Sequence, residues 1–319
     1  MKTYNITYPS AWTAEQRQAK TLALGFFDGV HLGHQKVIAT AVEEAKRNDI
    51  KSAVLTFSPH PSVVLRDQQH VSYLTLSDEK RKLIAACGVD ELYIIEFNEE
   101  LAKLSPEAFI SHFIDDLNVS HVVAGFDFSF GHRGVGTMDM LQNDTSRSFA
   151  VTTVASENDD QEKISSTRIR ECIRQGDMKK ATELLGRPYQ LTGTVTTGEG
   201  RGRTIGIPTA NIVASENSLI PGRGVYAVLV SSEAFEGKKG GMCNIGYKPT
   251  FHGDKKTDMP SIEVHLFDFA DDLYDKEITV EWLAYLRSEQ KFSSVDDLIA
   301  QLDKDRQDAR EITSGTHNY

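Results

Sequence analysis

The feature that most constrains this chain is a change of texture after Gly186. Before it, short apolar runs alternate with helix-patterned segments. Residues 21–27 crowd Leu22, Ala23, Leu24, Phe26 and Phe27 together as a buried strand. From 33 to 47, Val37, Ile38, Ala41, Val42 and Ala45 recur at helical spacing. Residues 52–57, 92–97 and 121–125 read as further strands, and Ser105-Pro106-Glu107 opens a helix through Leu117. Strand and helix in alternation predict an α/β domain with a parallel sheet and right-handed crossovers. A second helical stretch starts near Ile164 and stops at Gly186-Arg187-Pro188, where the domain boundary is placed: 1–186 and 187–319. Beyond it, residues 190–196, 224–231, 241–245, 261–267 and 277–285 are strand-like, with glycine and proline between them. These predict a small antiparallel β-barrel or sandwich, closed by a helix over 294–311.

A chain of 319 residues is too long for one ordinary core and suits two domains. The net charge of −11 argues against binding to nucleic acid or to an anionic membrane surface. No apolar run reaches the length of a membrane span. Cys87, Cys172 and Cys243 are dispersed and odd in number, the pattern of reduced thiols in a cytoplasmic protein. The first ten residues lack the features of a signal peptide. Nothing in the sequence fixes an oligomeric state.

The segment Gly25-Phe26-Phe27-Asp28-Gly29-Val30-His31-Leu32-Gly33-His34 leaves a strand and enters a helix. At such a junction the first N–H groups are unpaired and attract anions. Gly29 and Gly33 let backbone approach a phosphate, and His31 and His34, three apart, share a face of the first turn. Two imidazoles there can stabilise charge building at a phosphorus. The same pair could ligate zinc, although no nearby acid or cysteine completes the set, or it could belong to a purely structural turn. No P-loop or dinucleotide fingerprint is present. Ser165, Ser166 and Thr167 sit at a helix start with Arg168 behind them, suited to phosphate oxygens or to ordinary capping. Phe126, Phe128 and Phe130 alternate, so they line one face either against a flat ring or in the core.

In the second half, residues 198–211 are rich in glycine and arginine and suit a loop over phosphates or a plain hairpin. Thr209 and Asn211, two apart in an extended segment, face one way and offer hard oxygen ligands for Mg²⁺.

At these residues the chain resembles a known family. The 25–34 segment looks like the ATP-binding signature of the nucleotidyltransferase superfamily, as found in prokaryotic FAD synthetases. Thr56-Phe57-Ser58-Pro59-His60-Pro61, Gly125-Phe126-Asp127-Phe128 and Ile164-Ser165-Ser166-Thr167-Arg168 are similar to further segments of that family, with Ser58 in place of the usual acidic residue. Pro208-Thr209-Ala210-Asn211 looks like the metal-binding signature of riboflavin kinases, and segments beginning at Gly224, Asn244, Glu263 and Leu286 follow in that family's order. The resemblance implies a Rossmann-like nucleotidyltransferase domain followed by a riboflavin kinase-like barrel. By it, riboflavin and ATP give FMN, and FMN and ATP then give FAD and pyrophosphate.

The resemblance also implies site residues. In the adenylyltransferase, Gly25, Phe26, Asp28, Gly29, Gly33, Ser165, Ser166 and Thr167 would bind ATP, His31, His34 and Arg168 would act in catalysis, and Pro59, His60, Asp127 and Phe128 would hold the flavin. In the kinase, Gly200, Arg203, Gly206 and Thr209 would bind ATP, Thr209 and Asn211 would hold Mg²⁺, Arg287 would contact flavin, and Glu263 would be the general base. Two alternatives stay open: a single-activity enzyme with one inactive domain, and a flavin-binding sensor.

Overall fold

The computed structural model describes residues 1–65, 71–160, 162–198, 200–252 and 255–315. They form two compact units, Met1–Ser166 and Thr167–Tyr319.

In the first unit, β2 (Lys20–Leu24) is buried at every position. Its neighbours are β3 (Lys51–Ser58) and β5 (Val119–Gly125), both parallel to it. With β1 (Lys2–Thr7), β4 (Glu91–Glu96) and β6 (Ala150–Val154) they form a six-stranded sheet in the order β1-β4-β3-β2-β5-β6, parallel throughout. Side chains alternate across such a sheet, so Ala23, Val54 and Val123 pack on one face beneath Val37, Ile38 and Ala41 of α1 (Leu32–Arg47). Leu22, Leu24, Leu55 and Val122 pack on the other face with Phe109 and Phe113. From β2 the chain winds through β3 and β4 to one side, then returns to place β5 on the other. The winding reverses at β2, and ligands of such sheets bind at the carboxyl ends of the strands where this happens.

Strand β2 ends at Leu24, so the apolar residues Phe26 and Phe27 do not continue it. Phe27 and Val30 take left-handed φ angles of 55° and 40°, conformations no strand accommodates. The helix opened by Ser105 is α-helical over Pro106–Ile110 and then widens into a π-helical turn at Ser111–Asp115.

The second unit begins inside α3 (Ser166–Gln175), at Thr167, and continues in α4 (Met178–Leu185), which Gly186 ends in the left-handed conformation. Compactness thus divides the chain ahead of the Gly186 break read from the sequence. A closed barrel follows: β7 (Tyr189–Thr196), β8 (Ala210–Ala214), β9 (Gly224–Ser232), β10 (Phe235–His252), β11 (Lys255–Leu266) and β12 (Glu277–Arg287), in the order β7-β8-β11-β10-β9-β12. All its pairings are antiparallel. The short strand expected at 241–245 is the middle of the 18-residue β10, whose polar flanks hide it from an apolar pattern. Helix α5 (Val295–Ser314) closes the unit, capped by Ser294.

At the amino edge of the first sheet, Lys20 is wholly buried and donates to Glu91 at 2.9 Å, to the Gln16 carbonyl at 2.6 Å and to the Tyr93 hydroxyl at 3.1 Å. Lys51 donates to the second Glu91 oxygen at 2.7 Å. Removing one partner of such a pair strands the other charge in a dry interior. Glu91→Ala is therefore expected to destabilise the first unit by about 3–5 kcal/mol. Trp12 and Trp282 are the two tryptophans, one in each unit, so urea unfolding followed by Trp12 fluorescence in a Trp282→Phe background reads this directly.

Candidate active sites

The loop after β2 is built from backbone that only local pins can hold. Gly25 N–H donates to the Leu55 carbonyl at 3.2 Å, Gly29 N–H to Thr75 Oγ1 at 3.0 Å. A Cβ on Gly25 would lie 2.7 Å from the ring of Phe27, which is itself buried. Asp28 is buried as well, and its carboxylate accepts the N–H groups of Leu74 and Thr75 at 3.0–3.2 Å. The Asp28 side chain thereby ties the loop to the neighbouring segment at Leu74 and Thr75.

His31 caps α1, its Nδ1 accepting the His34 N–H at 3.3 Å. The His31 and His34 rings stack 3.6 Å apart, and Phe27 meets His34 edge-on. Burial, then the charges of His31, Lys80 and Lys163, hold His34 well below the usual histidine range. His34 is accordingly neutral at physiological pH, an imidazole that can hydrogen-bond but carries no charge. Gly33 allows the His31 ring to lie against the helix, since a Cβ there would stand 3.3 Å from it.

Two more segments reach the same carboxyl edge. After β3, His60 N–H donates to the Tyr73 hydroxyl at 2.9 Å, and its ring meets Phe26 edge-on at 4.5 Å, with Pro59 before it. After β5, Asp127 is ion-paired with Lys163, and Lys163 lies 4.6 Å over Phe126. The three phenylalanines do not share a face. Residues 126–127 form a turn, leaving Phe126 half exposed, Phe128 partly covered and Phe130 buried. Phe126 is the aromatic surface that the alternation concealed. Ser166 Oγ donates to the Asp28 carbonyl at 2.9 Å, which joins the second phosphate motif to the first. Its hydroxyl proton is thereby used, while Thr167 and Arg168 stand in the first turn of α3.

In the barrel, two cavities meet at Thr209. One, of about 470 Å³, is lined by Arg203, Thr209, Phe269 and the 270–274 turn. Arg203 donates to the Tyr274 hydroxyl at 3.2 Å there. The other, of about 290 Å³, is lined by Thr209, Asn244, Glu263, Arg287, Phe292 and Leu302 among others. Glu263 lies directly opposite Asn211 on one neighbouring strand and Asn244 on the other, so the three occupy one row across the sheet. Gly200 and Gly206, at φ 69° and 78°, bracket the turn Arg201–Thr204 above Thr209. His265 Nδ1–H donates to the Pro208 carbonyl at 2.8 Å, fixing the chain just before Thr209. Arg287 makes a forked pair with Asp305 of α5 at 2.7–3.0 Å, and Asp305 is buried.

The comparisons with known proteins join these two sites. Residues 13–168 match the family model described as FAD synthetase, and residues 185–313 match riboflavin kinase. The bifunctional riboflavin kinase/FMN adenylyltransferase of Bacillus subtilis (strain 168) is 45% identical, with 97% of each chain covered. That of Escherichia coli (strain K12) is 36% identical over 91% of this chain and 92% of the relative. The chain belongs to the family of bifunctional riboflavin kinases/FMN adenylyltransferases. A crystal structure described as a macrolide-efflux protein from Streptococcus pneumoniae shares the fold, with a TM-score of 0.87 and 34% identity over 97% of this chain and 99% of that one. Among the described residues no helix is long and apolar enough to cross a membrane.

Sequence reasoning named neither Lys80, which contacts the Phe26 carbonyl, nor Asp305, which pairs with Arg287; each stands on a helix that carries no motif. The crowding at Gly25 yields a direct test. Gly25→Ala must push the buried Phe27 ring, which cannot swing away. FAD formation from supplied FMN is expected to fall at least ~10-fold, as expected when a phosphate-binding loop is displaced by about an ångström. Phosphorylation of riboflavin by the same preparation should be unchanged.

Proposed function

We infer that this chain makes flavin cofactors in two ATP-dependent steps, one in each unit, with the functional boundary at Gly186. The observation that carries the kinase assignment is the junction of two cavities at Thr209, with Glu263 in the smaller. A nucleotide in the larger cavity and riboflavin in the smaller would bring the γ-phosphorus and the ribityl hydroxyl together there. Glu263 takes the hydroxyl proton as the oxygen attacks the γ-phosphorus; the bond to the β-bridging oxygen breaks and ADP leaves. Arg287, fixed by Asp305, holds the flavin. Thr209 and Asn211 offer hard oxygen donors beside Glu263, a set that fits Mg²⁺, which would neutralise phosphate charge when bound.

In the first unit a phosphate oxygen of FMN attacks the α-phosphorus of ATP, the α–β bridge breaks and pyrophosphate leaves. FMN phosphate is already ionised at neutral pH, so no protein base is required. His31, His34 and the N–H groups opening α1 stabilise the developing charge. Pro59, His60 and the Phe126–Phe128 turn are the proposed flavin wall. The dispersed free thiols Cys87, Cys172 and Cys243 support a cytoplasmic location.

Purified protein given riboflavin, ATP and Mg²⁺ is expected to accumulate FMN and then FAD, and recovery of neither would overturn the reading. Glu263→Ala should lower FMN formation by about 10²–10⁴-fold and spare FAD formation from FMN. His31→Ala should do the reverse, costing about 10²–10³-fold in adenylyl transfer. Chromatography of the flavins in one time course separates the two losses.

A further inference from the structure

Lys80 lies on α2 (Ser77–Ala86), a helix whose sequence carries no recognised motif, and is only 7% exposed. Its ammonium donates to the Phe26 carbonyl at 3.2 Å, approaches Thr56 Oγ1 at 3.4 Å and lies 4.5 Å from the centre of the Phe26 ring. The Thr56 hydroxyl donates to the same Phe26 carbonyl at 2.8 Å. That carbonyl belongs to the peptide that enters the left-handed residue Phe27, where the 25–34 loop turns toward α1. Two donors converge on one oxygen beside a left-handed residue, which is where a loop of this conformation needs an external hold.

The placement also matters electrostatically. A buried lysine is costly unless something compensates its charge. The charged and titratable groups facing Lys80 are Asp28 from the loop and His34 from α1. Asp28 already accepts two backbone N–H groups, and His34 is neutral. Lys80 and Asp28 thus stand as opposed charges directly beneath the loop read as the seat of the ATP phosphates.

We propose that Lys80 is a positioning residue for adenylyl transfer: its ammonium pins the Phe26 carbonyl, and with it the turn at Phe27, and supplies fixed positive charge to the phosphate loop. This rests on the assignment of residues 25–34 to ATP. A bound triphosphate adds negative charge near Lys80, so nucleotide binding and the charged state of Lys80 favour one another.

A pH profile separates this role from a merely structural one. Burial pushes Lys80 down to about 8, opposed by the attraction of Asp28. The charged fraction therefore falls as pH rises through that value, whereas an exposed lysine would stay charged. For FAD formation from supplied FMN, kcat/KM for ATP should fall about 10-fold per pH unit above the inflection, while kcat, which reports the ATP-bound form, falls only at higher pH. Lys80→Arg keeps its charge, so its alkaline limb should move up by more than about one pH unit. Lys80→Met should lose the limb and run about 10–100-fold below wild type at about pH 7.5, mainly in KM for ATP. Thermal unfolding and the riboflavin kinase activity of the same samples report whether each variant is folded.

A wild-type profile flat from about pH 7 to about pH 9.5 would overturn the proposal whether or not a variant folds. So would a limb of the same midpoint in wild type and Lys80→Arg, or wild-type kcat/KM in folded Lys80→Met. His31→Ala, assayed in parallel, distinguishes the two levels. If it retains FAD formation, the assignment of the loop is what fails; if it loses FAD formation while Lys80→Met does not, the role of Lys80 alone is rejected.

Discussion

Strand β2 is enclosed on both edges and both faces, and the position of the first site depends on that enclosure. A strand so held cannot slide, because a shift of one residue would exchange Leu22 and Leu24 with Ala23 between two packed faces. Its carboxyl end is consequently a fixed point, and the chain leaving it must turn at once. The turn is made at the cost of left-handed backbone at Phe27 and Val30, and it persists because neighbouring elements hold it. Leu55 fixes Gly25, Thr56 and Lys80 fix Phe26, and the N–H groups of Leu74 and Thr75 fix Asp28.

The second unit solves the same problem differently. A closed barrel has no free edge, so strand register places side chains without help from loops. Asn211, Glu263 and Asn244 come into one row because three antiparallel strands pair residue against residue. The barrel supplies the row, while Gly202, Arg203, Ile205 and Ile207, with Leu298 and Leu302 of α5, wall the cavities that meet at Thr209. Both units thus set glycine-rich backbone beside the proposed site, one at a helix start after a buried strand, the other at a turn set against a barrel wall.

Much of this was legible in the residues themselves. The α1 pattern, the strands at 52–57 and 121–125 and the stop at Gly186 follow from apolar spacing and from glycine, which are local properties. Strands β1 and β6 were not legible, because edge strands with one wet face carry a diluted apolar signal. The three alternating phenylalanines misled for a related reason: alternation means one face only where the backbone is extended, and residues 126–127 form a turn. The backbone N–H groups of Leu74 and Thr75 that donate to Asp28 lie far along the chain, and no local pattern discloses them.

The sequence by itself determined the elements, the order of the two kinds of unit and the motifs that mark a phosphate loop and a kinase-like barrel. Those features depend on neighbours along the chain, where spacing and residue type suffice. Only the tertiary structure decided which side chains those motifs work with: Lys80 under Phe26, Ser166 on Asp28, Asp305 behind Arg287 and Asn244 beside Glu263. Each of these pairings joins residues far apart in sequence. Its energy comes from burial and hydrogen bonding in three dimensions, and neither has a signature in one.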